Sequence, residues 1–237
     1  MEAIAINVGA NTNEPGFRGP VSPDGRFEYI PIPESKPTTR RVPTYSDLAE
    51  HLRTPIPEAV RDRPVHLDPE FASYPYCERY TYGDDHGVKA GPLSSLSTGD
   101  YVFFYATLSV TEPAEWLPPE WGAFLIGQFK LARDPLSPDG ETPVTEPVFE
   151  NNAHCKRDPM DARVLLLGDP EQSRLYERAV PLSSPSGGTD ANELVTELSA
   201  DSGRGPWWRR PLRFGQAETN QLLAEIESDR DLSDCQN

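Results

Sequence analysis

The sequence predicts an α+β fold: a mixed, strongly curved central sheet or partial barrel, with a few short helices and long loops. Three observations lead there. Residues 99–109 (GDYVFFYATLS) and 121–131 (WGAFLIGQFKL) are β-rich and joined by a Pro/Glu/Trp loop, the pattern of neighbouring strands. The 26 prolines and 17 glycines among 237 residues exclude a chain built of long helices. A mean hydropathy of -0.59 leaves a core that is adequate but not large.

Taken in order, Ala3–Val8 alternates small and branched apolar residues and stops at Gly9, as a first core strand would. Pro23-Asp24-Gly25 makes a tight turn, and Phe27–Pro33 continues as an extended strand that its prolines confine to an edge. Thr44 or Ser46 caps a short helix that buries Leu48 and Leu52 and is closed by Pro55 and Pro57. From Val65 to Tyr82 the chain is aromatic and proline-containing, which predicts a loop laid over the surface. Arg163–Gly168 is an apolar run short enough for a buried strand, Glu193–Ser199 a short helix, and Glu218–Ile226 a final helix with Leu222, Leu223 and Ile226 as its apolar stripe. One domain over 1–227 is expected, with flexible loops at about 134–148 and 183–192 and an acidic, disordered tail at 228–237.

The formal net charge of -16 argues against broad affinity for a polyanion. Of 22 basic residues only Lys36, Lys89, Lys130 and Lys156 are lysines, leaving 18 arginines against 38 acids. Abundant acid with scarce lysine resembles the proteins of salt-loving archaea. At such salt the Debye length is about 3 Å, so the local grouping of arginines says more about partners than net charge does. Cys77, Cys155 and Cys235 lie far apart with no CxxC, which suggests a reducing, intracellular setting. No apolar run approaches a membrane span, and the N-terminal residues lack the basic start and long apolar core of a signal peptide. A soluble, cytoplasmic protein with no membrane partner is the expectation.

Four groups of residues could carry chemistry. In Asn151–Arg157 (NNAHCKR), Lys156 and Arg157 could hold phosphate while His154 acts as acid or base; the alternative is a polar strand end satisfying backbone groups. Cys155 would serve as a nucleophile only with a depressed pKa. His66 and Asp68, with Asp84, Asp85 and His86 downstream, offer imidazole and carboxylate ligands, yet their spacing matches no recognised metal signature. No metal is therefore assigned, and no cofactor is identified. Arg204–Arg213 contains Trp207, Trp208, Arg209 and Arg210, which could stack on bases and grip phosphates, or equally be a Trp pair in the core with snorkelling arginines. Arg18–Arg26, with Glu28 and Tyr29, has no phosphate-loop spacing and reads first as a structural turn.

Taken together, residues 19–34 (GPVSPDGRFEYIPIPE), 44–47 (TYSD), 66–70 (HLDPE), 99–105 (GDYVFFY) and 152–157 (NAHCKR) resemble the third type of nucleotide-modification-associated domain, in the same order over most of 3 to about 226. That resemblance implies a nucleic-acid or nucleotide setting in which DNA bases are modified, with DNA or a nucleotide as partner and possible companion enzymes of a base-modification system. Arg26, Asp47, His66, Asp68, His154, Lys156 and Arg157 match and become candidates. Two functions follow. One is an enzyme or enzyme subunit acting on a nucleobase or nucleotide, with His154 as acid or base, Asp68 or Asp47 as its carboxylate partner, and Arg26, Lys156 and Arg157 on phosphate. The other is a non-catalytic reader, similar to small PUA-like barrels, that encloses a modified base in a cage of Tyr82, Tyr101, Phe103, Tyr105 and Trp121. A pocket holding His154 beside His66 or Asp68 favours the enzyme; an open aromatic slot favours the reader.

Overall fold

The structure, a computed structural model, describes residues 1–138 and 144–234, and side chains as far as residue 227. In chain order its main elements are β1 (Ala3–Asn7), β2 (Pro20–Val21), β3 (Ile32–Pro33), α1 (Tyr45–Ala49), β4 (Val65–His66), β5 (Thr81–Asp84), α2 (Gly87–Leu93), β6 (Tyr101–Val110) and β7 (Trp121–Lys130). They continue as α3 (Ala153–Lys156), β8 (Val164–Leu167), β9 (Arg174–Pro181), β10 (Ser183–Ser184), β11 (Gly187–Ala191), β12 (Leu212–Phe214) and α4 (Gln216–Asp234).

A mixed sheet of order β12-β1-β6-β7-β9 forms the centre, with β2 adding to β6. The fold is α+β as the sequence predicts, and the sheet is open, since β12 and β9 end the order without pairing to each other. β1 runs parallel to β6, while β6–β7, β7–β9 and β1–β12 are antiparallel. The two β-rich segments pair from Tyr101↔Lys130 to Ser109↔Trp121.

Alternation along β6 feeds two cores. Val102, Phe104, Ala106 and Leu108 face one layer, and Tyr101, Phe103 and Tyr105 face the other. On β7 the register shifts where Leu125 opposes Tyr105 and Gly127 opposes Phe104, leaving Ile126 as the extra residue. That bulge changes the parity of the strand, so Phe124 and Phe129 serve the same core although their positions differ by an odd number, five. In this first core Phe104 meets Phe129 at 4.6 Å and Phe71 at 5.5 Å, each edge to face. The second core is closed by Trp207, Val195, Leu222 and Ile226.

Several expectations are corrected. The 65–82 segment is not laid over the surface: Val65, Phe71, Tyr74 and Tyr82 are buried, and two ribbons, β3–β4 and β5–β8, begin or end in it. Phe71, Tyr74 and Tyr82 fill the first core, while Tyr76 stays exposed. Segment 183–192 is a hairpin, with Ser183 opposite Ala191. Gly188 permits this, because a Cβ there would lie 2.1 Å from the Trp121 carbonyl oxygen. The 134–148 loop includes residues 139–143, which lie outside the described residues; before them, Leu136 bridges Leu165. α4 runs on to Asp234, through most of the expected tail, since extending a nucleated helix costs little. Residues 235–237, with Cys235, lie outside the described residues. Thr44 is the N-cap of α1, and Asp47 completes a capping box with it.

Phe104→Ala is expected to lower stability by about 3–5 kcal/mol, read by urea denaturation, because it opens the aromatic centre of the first core. A loss under 1 kcal/mol would mean that this cluster does not organise the fold.

Candidate active site

The site forms where the two ribbons meet α3. Antiparallel pairing sets Ile32 against His66, so Glu34 emerges beside the imidazole one step beyond the ribbon. Asp68 follows His66 by two residues; its backbone carbonyl accepts from the Tyr29 hydroxyl (3.2 Å), and its Oδ2 accepts from the Gly83 amide (2.9 Å). Asn152 caps α3: its Oδ1 accepts from the His154 amide, while its Nδ2 donates to Thr81 Oγ1 of β5. That tie turns His154 inward. The fully buried Glu70 carboxylate accepts from the Glu78 and Arg79 amides, the Thr81 hydroxyl and the Asn151 amide group, binding the same elements together.

Both histidines are oriented by an acid at Nδ1. His66 Nδ1 lies 2.6 Å from Glu34 Oε2, and His154 Nδ1 lies 2.7 Å from Asp161 Oδ1. Between the two acids sits Arg157, whose Nε donates to both Glu34 oxygens (3.1 and 3.2 Å) and whose Nη1 donates to Asp161 Oδ2 (2.9 Å). Burial opposes ionisation of Glu34, but hydrogen bonds from His66 and Arg157 outweigh it and hold the carboxyl at about 2. Asp161 is likewise depressed against its burial by His154 and Lys36. With both acids ionised, each Nδ1 carries the proton and each Nε2 is turned away from its acid.

Those Nε2 atoms face Asp68. Oδ2 is 3.5 Å from His154 Nε2 and 3.9 Å from His66 Nε2, and the two rings stand nearly perpendicular with centroids 4.9 Å apart. Burial drives the Asp68 pKa well above its ordinary value, opposed by the Gly83 amide. Burial also lowers that of His66, opposed by its bond to Glu34. These three residues lie in a cavity of about 500 Å³ whose wall includes Tyr82, Asp84, Asp85 and Lys89. Tyr82 donates to Asp84 Oδ2 at 2.7 Å. Lys89 donates to the Asn7 carbonyl at 2.8 Å, its pKa lowered by burial and partly restored by Asp84, 4.0 Å away. At the rim Lys36 bridges Asp85 (2.8 Å) and Asp161 (2.6 Å).

The candidates from sequence fall into two sets. His66, Asp68, His154 and Arg157 come together, but Arg157 is bound to carboxylates rather than open to phosphate. Lys156 donates to Asn151 Oδ1 and does not line the cavity; Asp47 is engaged in its capping box, and exposed Arg26 sits beside Asp24 in its turn. In the aromatic patch Trp207 is buried and donates to the Thr189 carbonyl, Trp208 packs edge-on to Trp121, and Arg210 pairs with Asp201. Arg209 alone of that patch lines the cavity. Of the proposed cage, Tyr101, Phe103 and Tyr105 belong to the second core and only Tyr82 reaches the cavity. Burial pushes the Cys155 thiol up to about 12, which removes it as a thiolate nucleophile. Sequence reasoning missed Glu34, Asp161, Lys36 and Lys89. Their signal was weak: an acid ending a proline-rich strand, and an acid seven residues beyond His154.

Gly83 fixes the position of His154, because a Cβ there would come within 2.9 Å of His154 Cδ2 and 3.0 Å of Asn152 Oδ1. Gly83→Ala is expected to cost about 1–3 kcal/mol by urea denaturation. Gly87→Ala, at the exposed start of α2, where a Cβ would meet only the end of the Arg163 side chain at 3.7 Å, is expected to change stability by less than about 0.5 kcal/mol. Equal effects at the two positions would show that the ring has room to move.

No curated protein and no solved structure matches the chain. The family model described as nucleotide modification associated domain 3 matches residues 2–224, nearly the whole sequence, and the chain therefore belongs to that family.

Proposed function

We propose that this protein is an enzyme that modifies a nucleobase or nucleotide, with its reaction centre at His66, Asp68 and His154. The observation that carries the reading is the convergence of two acid-oriented imidazoles on a buried carboxylate at the wall of a cavity. Such orientation costs stability to build and suits reactive groups rather than a passive pocket. The family description supplies the substrate class, and a cavity of about 500 Å³ is in the range of small-molecule sites. A nucleotide, or a base extruded from a strand, fits it better than a duplex does, because a chain of charge -16 offers little for a long phosphate backbone. The reacting part of the base lies against the two Nε2 atoms and Asp68. Lys89 and Tyr82 supply proton donors on the adjoining wall, and exposed Arg209, which makes no ion pair among the described residues, meets a phosphate at the mouth. DNA is the polymer we favour as the source of the base, with companion enzymes completing the modification. An acid-rich surface suits work in concentrated salt in the cytoplasm.

The reader alternative loses support because the sheet aromatics face the cores on both sides. Mass spectrometry of nucleosides from cells with and without the protein decides between the two. The enzyme reading expects a changed nucleoside that disappears again in the Asp68→Asn strain. An unchanged profile with retained binding to modified DNA would establish the reader instead. Separately, Arg209→Ala is expected to weaken mononucleotide binding about fivefold, the scale of one exposed ion pair. Unaltered affinity in a titration would place the phosphate elsewhere.

A further inference from the structure

We propose that His66, Asp68 and His154 bind a divalent first-row transition-metal ion through the two Nε2 atoms and Asp68 Oδ2, leaving its other coordination positions open to the cavity. Its role in nucleotide chemistry rests on the function proposed above; the binding itself rests on the geometry alone.

The donor atoms lie within 4.8 Å of one another. At 3.5 and 3.9 Å the Nε2–Oδ2 separations are too long for hydrogen bonds, and the three groups therefore face one another without bonding. Ligands about 2.1 Å from a common ion lie roughly 3–4 Å apart, which is the spacing seen. Each imidazole also has the outer support that a metal-bound histidine has: its Nδ1–H is held by a carboxylate, which fixes the tautomer and leaves the Nε2 lone pair free.

A second, independent observation is the state of Asp68. Its side chain is 1 % exposed, and among the described residues its Oδ1 has no hydrogen-bond partner and its Oδ2 accepts only from the Gly83 amide. To stay ionised, a carboxylate so placed needs a positive charge beside it. The cations beside it are engaged elsewhere: Arg157 with Glu34 and Asp161, Lys36 with Asp85 and Asp161, and Lys89 with the Asn7 carbonyl and Asp84. Five acids, Glu34, Asp68, Asp84, Asp85 and Asp161, thus stand against three cations, Lys36, Lys89 and Arg157, a deficit that one divalent ion closes. The neighbouring group Asp85, His154 and Asp161 is a weaker choice, because Lys36 and Arg157 already neutralise its acids.

Two neutral imidazoles with one carboxylate suit Fe²⁺, Co²⁺ or Zn²⁺, while Mg²⁺ prefers an all-oxygen shell. Because all three residues line the cavity, the ion's free positions point to where a substrate atom would sit.

The test is titration of the full chain, free of any histidine tag and stripped by chelator, with Co²⁺ followed by its visible absorption and with Zn²⁺ by calorimetry. One ion per chain is expected, with Mg²⁺ binding far more weakly. Asp68→Asn and His66→Ala should abolish binding. Asp161→Asn, which loosens the support of His154 without removing a ligand, should weaken it about 10–100-fold. His51→Ala, at an exposed histidine outside the cavity, should bind as the unaltered protein does. The proposal is overturned if the unaltered protein takes up neither Co²⁺ nor Zn²⁺, a result that needs no variant to fold. Binding undiminished in folded Asp68→Asn and His66→Ala, or Mg²⁺ held as tightly as Co²⁺, would overturn it too. A protein that binds the ion at these residues yet leaves the nucleoside profile unchanged would sink the enzymatic reading and leave the metal site standing.

Discussion

One guanidinium holds this site together. Arg157 is 7 % exposed by side chain and spans Glu34 and Asp161, and each of those acids grips one of the two site histidines. The resulting chain, His66–Glu34–Arg157–Asp161–His154, ties β3, β4, α3 and the turn before β8 into one polar unit. Backbone bonds strap the same places, Thr39 to the Lys156 carbonyl and Asp158 to the Pro37 carbonyl. Removing one partner of such a buried pair costs about 3–5 kcal/mol, since the other charge is left without compensation. The two imidazoles therefore share their support, and displacing one disturbs the orientation of the other.

The central sheet does a different job. Among the described residues, half-buried Trp121 is covered by Arg18 and Trp208, and the other aromatic side chains of β6 and β7 are committed to cores on the sheet's two faces. Its contribution to the cavity comes from the end of β1, where Asn7 and Val8 reach the wall and the Asn7 carbonyl holds Lys89. The sheet supplies the frame, and the ribbons and short helix laid against it supply the residues of the candidate site. No helix among the described residues is long and apolar enough to cross a membrane.

What could be read from the sequence was whatever is encoded locally. β-rich runs announced β6 and β7, an apolar run announced β8, and a capping residue at Thr44 or Ser46 announced the start of α1. β9 was missed because its half-buried arginines and exposed glutamate break the apolar pattern, and the Gly-Gly of the 183–191 hairpin looks like linker until Trp121 is seen against it. The site was half legible. His66, Asp68 and His154 stood out by residue type, whereas Glu34 acts on a residue 123 positions away, a relation no local pattern carries. Arg157 was read as a phosphate ligand for the same reason: charge is visible in a sequence, but the partner that satisfies it is not. The donor set likewise matched no ligand spacing because two separate chain segments supply it.

The ribbons that carry the site are each two strands wide, β3–β4 with two residue pairs and β5–β8 with four. Ribbons of that width have little stability of their own and borrow it from what they pack against. What they pack against is the first core, into which they send Val65, Tyr82, Val164 and Leu166, so they open only at its expense. The candidate site is thus tied to that core, and warming that loosens the Phe71, Phe104 and Phe129 cluster would pull the two imidazoles apart as well.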